Sequence, residues 1–388
     1  MLWNRNFIYF CCSHFFLGLN YYLLAAILPL YIQVYLNGNE FEMGLVITIY
    51  VLGSVFARIF SGYIVDYFNK KLIGIIGFGL FLAASISYLG ALEGLLLILI
   101  IRWIHGMAFA LSSTAINSAI VLVLPNGRQG EGIGYFSMFL NLAMVIGPSL
   151  GIFLWRDQQI HHVLFVVIFT SLLGLLFMSK LNIPSSDFHT TPKFSFHNII
   201  EIKALPLSLV SFCLFFSYSS LAGFLASYTT DLHIESIAGY FFILFGLMIL
   251  GFRPVVAKML DHVSPNKLFY PSILFFGFGM LVLSQAVNAW MILFAAILMG
   301  ISYGLLSPFL QNLILTQVPK SRSGPATVTF FLLSDFGYGA GSYFLGLTAS
   351  LSNYRMMYIC SGLVAILSIF FYWQYFHKKQ QQKVEVHA

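Results

Sequence analysis

One acid and three arginines stand inside long apolar runs of this 388-residue chain, where an ion is costly to bury. Asp335 lies about 11 residues into the run 324–350, roughly 16 Å deep at a helical rise and near the centre of a bilayer. A carboxylate there, reached by water from one side and then the other, can take up and release a proton or hold a cationic solute. Bonded to a neighbouring helix, it would stay in one state. Arg102 keeps its proton and must face a partner or water; helix-1 carbonyls and Asn20 are the structural candidates. His105, one turn on, can titrate near neutral pH or serve only as a hydrogen-bonded core residue. Arg58 and Arg253 lie about two turns from the ends of their runs, and Asp66 and Asp261 follow them at successive i+4 steps. These read as structural or gating pairs, with substrate binding as the alternative. Asn20, Asn117, Asn141, Gln311 and Asn312 are further polar residues inside apolar runs, suited to a cavity wall or to bonding between helices.

The elements that carry these residues follow from composition. The chain is 59% hydrophobic and only 8% charged, whereas a soluble domain carries about 25% charged residues. That excludes a soluble, collagenous or disordered protein and points to a lipid bilayer as solvent. Cys11, Cys12, Cys213 and Cys360 have no metal or disulfide spacing and read as small hydrophobes. A span needs about 20 apolar residues, and breaking the chain at polar, Pro and Gly punctuation gives twelve. They are 7–33, 41–65, 72–91, 95–123, 130–155, 161–181, 204–230, 237–260, 267–287, 290–318, 324–350 and 354–376. The first is read as a span and not as a removed leader. With the N-terminus inside, fourteen of the 19 basic residues fall on the inner side, Arg156 and Arg355 outside, and Arg58, Arg102 and Arg253 within spans. Basic short loops stay cytoplasmic, so both termini are expected inside and the positive charge is an orientation signal, not a nucleic-acid surface. The expected domains are a six-helix bundle over 1–181, a cytoplasmic linker over 182–203, a second bundle over 204–376 and a cytoplasmic tail over 377–388.

The two halves repeat. Arg58-Ile-Phe-Ser-Gly62-Tyr-Ile-Val-Asp66 matches Arg253-Pro-Val-Val-Ala257-Lys-Met-Leu-Asp261 at an offset of 195, and Arg128-Gln-Gly130 matches Arg322-Ser-Gly324 at 194. Parallel six-helix repeats are a transporter architecture with a midplane site. Gly62-Tyr-Ile-Val-Asp66-Tyr-Phe-Asn69-Lys70-Lys71 resembles the loop 2–3 signature of the major facilitator superfamily, in its twelve-helix drug:proton antiporter branch. Tyr67 replaces a usual basic residue, and Asn69 a usual glycine; Asn tolerates a left-handed turn. Arg102-Trp-Ile-His105-Gly106 resembles the family's Arg-x-x-x-Gly motif, and Gly147-Pro148-Ser-Leu-Gly151 its antiporter motif, with Phe139 and Ala143 in place of upstream glycines.

The resemblance implies an all-α membrane fold of twelve helices in two six-helix pseudo-repeats. It implies that helices 1, 4, 7 and 10 line the cavity, with Asn20, Asn117, Tyr218, Gln311 and Asn312 on its wall. It makes Gly62, Asp66, Lys70 and Lys71 a cytoplasmic gate, Asp66 packing against the start of span 11 near Gly324-Pro325. It gives Arg102 a part in proton coupling. Gly147, Pro148 and Gly151 would form a hinge or a tight interface between halves, and the glycines after Asp335 would mirror them there. No phosphate loop or HExxH pattern occurs. The expected function is proton-coupled export of a drug-like, metabolite or chelator molecule by alternating access; uptake symport is the alternative, a membrane enzyme or receptor a minor one. The partners are a small-molecule substrate, protons and lipid, with no metal, cofactor or nucleic acid. A monomer in the bacterial plasma (inner) membrane is expected.

Overall fold

A computed structural model describes residues 2–125, 128–155, 158–183, 200–319 and 322–387; within these, the side chains at 62, 63, 66, 67, 129, 130, 253–258, 260–262, 315, 323, 324 and 376–387 are not described. Among the described residues there are twelve α-helices and no strand. They are α1 (Arg5–Tyr35), α2 (Glu40–Tyr67), α3 (Lys70–Ser87), α4 (Leu95–Val123), α5 (Gln129–Leu154), α6 (Ile160–Ser179), α7 (Leu205–Asp231), α8 (Ile237–His262), α9 (Pro265–Ser284), α10 (Ala289–Thr316), α11 (Ser323–Leu351) and α12 (Tyr354–His387). The ends differ from the sequence-based ones by a few residues, except that α12 runs on through the segment expected to be a tail.

Helices form because hydrocarbon offers the backbone no partner, so each span must bond to itself. Their ends are marked by polar caps. Asn4 accepts from Phe7 N at 2.8 Å, Asn39 and Glu42 form a reciprocal capping box, and Asn288 accepts from Met291 N at 3.1 Å. Asn69 corrects its expected role: at φ −60° it is no left-handed turn but the cap of α3, accepting from Lys71 N at 2.9 Å. Among the described residues, ten helices are long and apolar enough to cross a membrane. In α8 the described apolar part is Ile237–Phe252, and α11, with Asp335 among serines and glycines, is less apolar than the ten. Leu96, Ile100 and Ile104 on α4, and Phe165, Phe169 and Leu176 on α6, are exposed along one side of their helices, as lipid-facing residues must be.

The chain divides into two units, Met1–Phe194 with α1–α6 and Ser195–Ala388 with α7–α12. In the first, α2 packs on α4, α1 on α5 and α6, and α3 on α4 and α6; in the second, α8 packs on α10, α7 on α11 and α12, and α9 on α10 and α12. The second scheme is the first shifted by six helices.

Glycines set the closest approaches. A Cβ on Gly106 of α4 would collide with the Tyr50 carbonyl of α2, and one on Gly300 of α10 would lie 2.6 Å from the Phe245 carbonyl of α8. These glycines stand at the offset of 194 already seen. On α5, a Cβ at Gly147 would lie 2.8 Å from Tyr22 Cβ of α1, and one at Gly151 2.8 Å from Ile27 Cγ1. On α11, Gly337 and Gly341 meet the Phe212 and Phe216 carbonyls of α7. Both glycine stretches, expected at an interface between the halves, therefore seat two helices of one unit against each other. Helices in lipid have little hydrophobic drive to associate, so close contact between small residues supplies it.

Gly106→Ala should cost about 1–3 kcal/mol by overpacking, seen as a lower melting temperature of the purified protein in detergent. Gly79→Ala, with nothing within 4 Å of the new methyl, should melt like the parent. Equal melting of the two variants would contradict the α2–α4 contact.

Candidate functional site

In the first unit, α4 brings Arg102 and His105 onto one face, both fully buried. Arg102 Nε donates to the Val46 carbonyl of α2 at 3.0 Å. The guanidinium carbon stands 4.1 Å from the centroid of the Tyr50 ring, a cation–π contact. Its partners thus come from α2, and neither from helix-1 carbonyls nor from Asn20. Tyr88, at the end of α3, places its hydroxyl 3.3 Å from His105 Nδ1, and the Phe81 ring lies 4.1 Å from the imidazole.

Asn20 is also fully enclosed. Its amide donates to the Val167 carbonyl at 2.9 Å and to Ser171 Oγ at 2.6 Å on α6, and to Ser85 Oγ at 3.3 Å on α3. That is the bonding between helices weighed above against a cavity wall. The second unit holds a corresponding knot of weaker donors: Ser217 Oγ donates to the Ser361 carbonyl at 2.7 Å, Ser361 Oγ returns to the Ser217 carbonyl at 3.0 Å, and Ser220 Oγ is 3.1 Å from Ser361 Oγ. Asn117 is exposed, its amide donating to the Ser113 carbonyl of its own helix at 2.7 Å. Asn141 and Gln311 are half-buried and Asn312 is exposed.

Asp335 is half-buried on α11. The neighbouring Ser334 Oγ is 2.7 Å from Ser211 Oγ of α7, and Gly337 rests on the α7 backbone, so two contacts with α7 hold the acid's stretch of helix in place. Tyr338, on the next turn, joins a buried ring cluster: the Tyr218 ring lies 5.0 Å from Tyr303, 6.1 Å from Tyr338 and 6.1 Å from Phe245. Among the described residues, no three His, Cys, Asp or Glu side chains gather as metal ligands. Arg102 and His105 thus share one buried face of α4, and Asp335 lies one turn before Tyr338 on α11.

The side chains of Gly62, Asp66, Arg253 and Asp261 lie outside the described residues. Arg58 is half-buried, Lys70 Nζ donates to the Val65 carbonyl at 3.0 Å, and Pro325 lies in the first turn of α11. Nearby is a contact the sequence reading missed. Glu201, ahead of α7, accepts from Arg322 Nε, at the head of α11, at 2.6 Å. Arg322 Nη2 also donates to the Ile200 carbonyl at 3.2 Å, and Glu201 N donates to Thr329 Oγ1 at 2.9 Å. An acid directly before an apolar span and the repeated Arg-x-Gly were the available signals.

Twelve helices in a six-helix repeat, with ionisable residues inside the helices of each unit, define a multi-pass membrane transporter. The family model described as Major Facilitator Superfamily matches residues 10–341, and again 207–387. The chain belongs to that superfamily and is a transporter, not an enzyme. It is 22% identical to the Staphylopine export protein of Staphylococcus aureus, over 91% of this chain and 92% of that one. It is 21% identical to the Multidrug resistance protein MdtG of Escherichia fergusonii, over 98% and 97%. The fold is that of a D-xylose–proton symporter (TM-score 0.77, 14% identity, 94% and 96% covered) and of a POT family transporter solved with a thioalcohol-conjugated peptide (TM-score 0.79, 14% identity, 96% of each).

The Arg322 hydrogen bond holds the Glu201 carboxyl below its usual 4.5. A lowered folded pKa contributes stability that is complete above the ordinary carboxylate range and lost as pH falls through the folded value. Glu201→Gln should therefore melt a few degrees below the parent at neutral pH, and the gap should close on acidification. A gap that persists at low pH would show that the pair adds nothing through its charge.

Proposed function

We propose that the chain is a proton-coupled exporter of a small solute, working as a monomer in the bacterial inner membrane with both termini in the cytoplasm. The observation that carries this is Asp335, a titratable acid in the middle of α11, on the glycine-rich stretch that seats α11 against α7. Proton binding there neutralises an ion in a low-dielectric setting and biases a two-state equilibrium. Arg102 and His105 are the coupling residues of the other unit. Two relatives, an export protein and a multidrug resistance protein, support the outward direction. Asp66, Lys70 and Lys71, with Gly62, Arg58, Arg253 and Asp261, are assigned to a cytoplasmic gate that closes on the start of α11. Segment 182–203 joins the two bundles, and 377–388 is a cytoplasmic tail. Asn117, Asn141, Tyr218, Gln311 and Asn312 remain the candidates for contact with solute.

Everted vesicles energised by respiration test the reading with radiolabelled para-aminohippurate as probe. Vesicles with the parent chain should accumulate it against its gradient, and collapse of the proton gradient should stop it. Asp335→Asn should abolish uphill accumulation while passive equilibration persists. Unchanged uphill transport by Asp335→Asn would remove this residue as the proton carrier.

A further inference from the structure

Among the described residues, no counter-charge pairs with Arg102. The side chain is 0% exposed, and its Nε donates to a neutral carbonyl. Neither Nη has a hydrogen-bond partner among the described residues, and the Tyr88 hydroxyl, although near enough to feel the charge, makes no bond of ordinary geometry to them. One turn on, His105 Nε2 is likewise buried and without a partner. None of the described acids of this unit makes an ion pair or hydrogen bond with Arg102: Glu42 closes the α2 cap with Glu40 in the same first turn, Glu93 lies in the turn before α4, and Glu131 bonds Arg128 at 2.7 Å. A cation removed from water costs several kcal/mol unless a charge or a full set of hydrogen bonds replaces the solvent. Here neither Nη makes a bond of ordinary geometry, and one hydrogen from each forms the flat edge of the guanidinium that matches a carboxylate in a two-point bond.

The walls are specific too. Tyr50 lies over the guanidinium, Tyr21 stacks on Tyr50 at 4.9 Å, Phe109 is 5.3 Å from Tyr21, and Phe81 is 6.4 Å from Phe109. A single fixed cation in a shell of rings suits one negative charge on an apolar, planar body. A multiply charged anion would bring excess charge into the same low-dielectric shell.

We propose that Arg102, assisted by His105 Nε2, is the anchor for a monocarboxylate group on the transported solute, whose remainder is aromatic or otherwise apolar. The inference rests on reading the chain as a solute transporter. The guanidinium is sealed in the present conformation, so entry requires side-chain movement, with the Tyr50 ring as the nearest cover.

The test is binding to purified protein in detergent with no gradient, read by calorimetry and by melting temperature. Sodium benzoate is the probe, with benzylamine hydrochloride and benzyl alcohol as the cationic and neutral shapes, at fixed chloride and ionic strength. Benzoate should bind saturably and raise the melting temperature, and the other two should not. Arg102→Gln should lose the benzoate shift. Arg102→Lys keeps the charge without the flat edge and should bind several-fold more weakly; it carries the test where Arg102→Gln fails to fold. Equal effects of benzoate and benzylamine, or undiminished benzoate binding by Arg102→Lys, would overturn the assignment. Chloride competing fully at equal concentration would also overturn it, marking a general halide site. Because no gradient is present, failed para-aminohippurate pumping with benzoate binding intact would count against export and not against this site.

Discussion

Hydrocarbon gives a polar group nothing to bond to, and most of the structure is a response to that fact. Backbone groups are closed into helices, caps of Asn begin them, and serine hydroxyls fold back onto carbonyls one turn earlier, as Ser85 does on Phe81 at 2.9 Å. Asn20 ties three helices of the first unit through one amide. A residue that does not complete its bonding inside its bundle is therefore conspicuous. Arg102 is the clearest case, a permanent cation held by a carbonyl and a ring.

The scaffold repeats, but the chemistry does not. Gly106 and Gly300 make the same helix contact in the two units, as do Gly147 on α1 and Gly341 on α7. At the same offset of 194, however, Arg102 corresponds to Ala296 and Asp335 to Asn141. One bundle thus carries a fixed cation with an imidazole, the other a titratable acid with a cluster of phenols. In the proton-coupled cycle proposed above, Asp335 is the group whose charge changes and Arg102 the one whose charge does not.

Much of the fold was legible in the sequence because span length and charge placement are set by the bilayer itself. The repeat was legible because Arg, Gly and Asp stand out against an apolar background. Packing was not. Nothing in the order of residues says that Gly147 and Gly151 seat α5 on α1, since a small residue advertises closeness without naming its neighbour. Asn69 was read through its likeness to a glycine position, whereas its side chain caps α3. The Glu201–Arg322 bond joins residues 121 apart in sequence, a distance that no local pattern spans. Arg102 was found by type, but its partner on α2 required the fold.

Export of a small solute is the claim on which the functional account stands. Its most direct measurement compares the metabolites inside cells and in their medium, with the gene deleted and overexpressed. The account predicts at least one solute retained in the cells by deletion and enriched in the medium by overexpression. A solute that instead accumulates inside on overexpression and stays in the medium on deletion would contradict it.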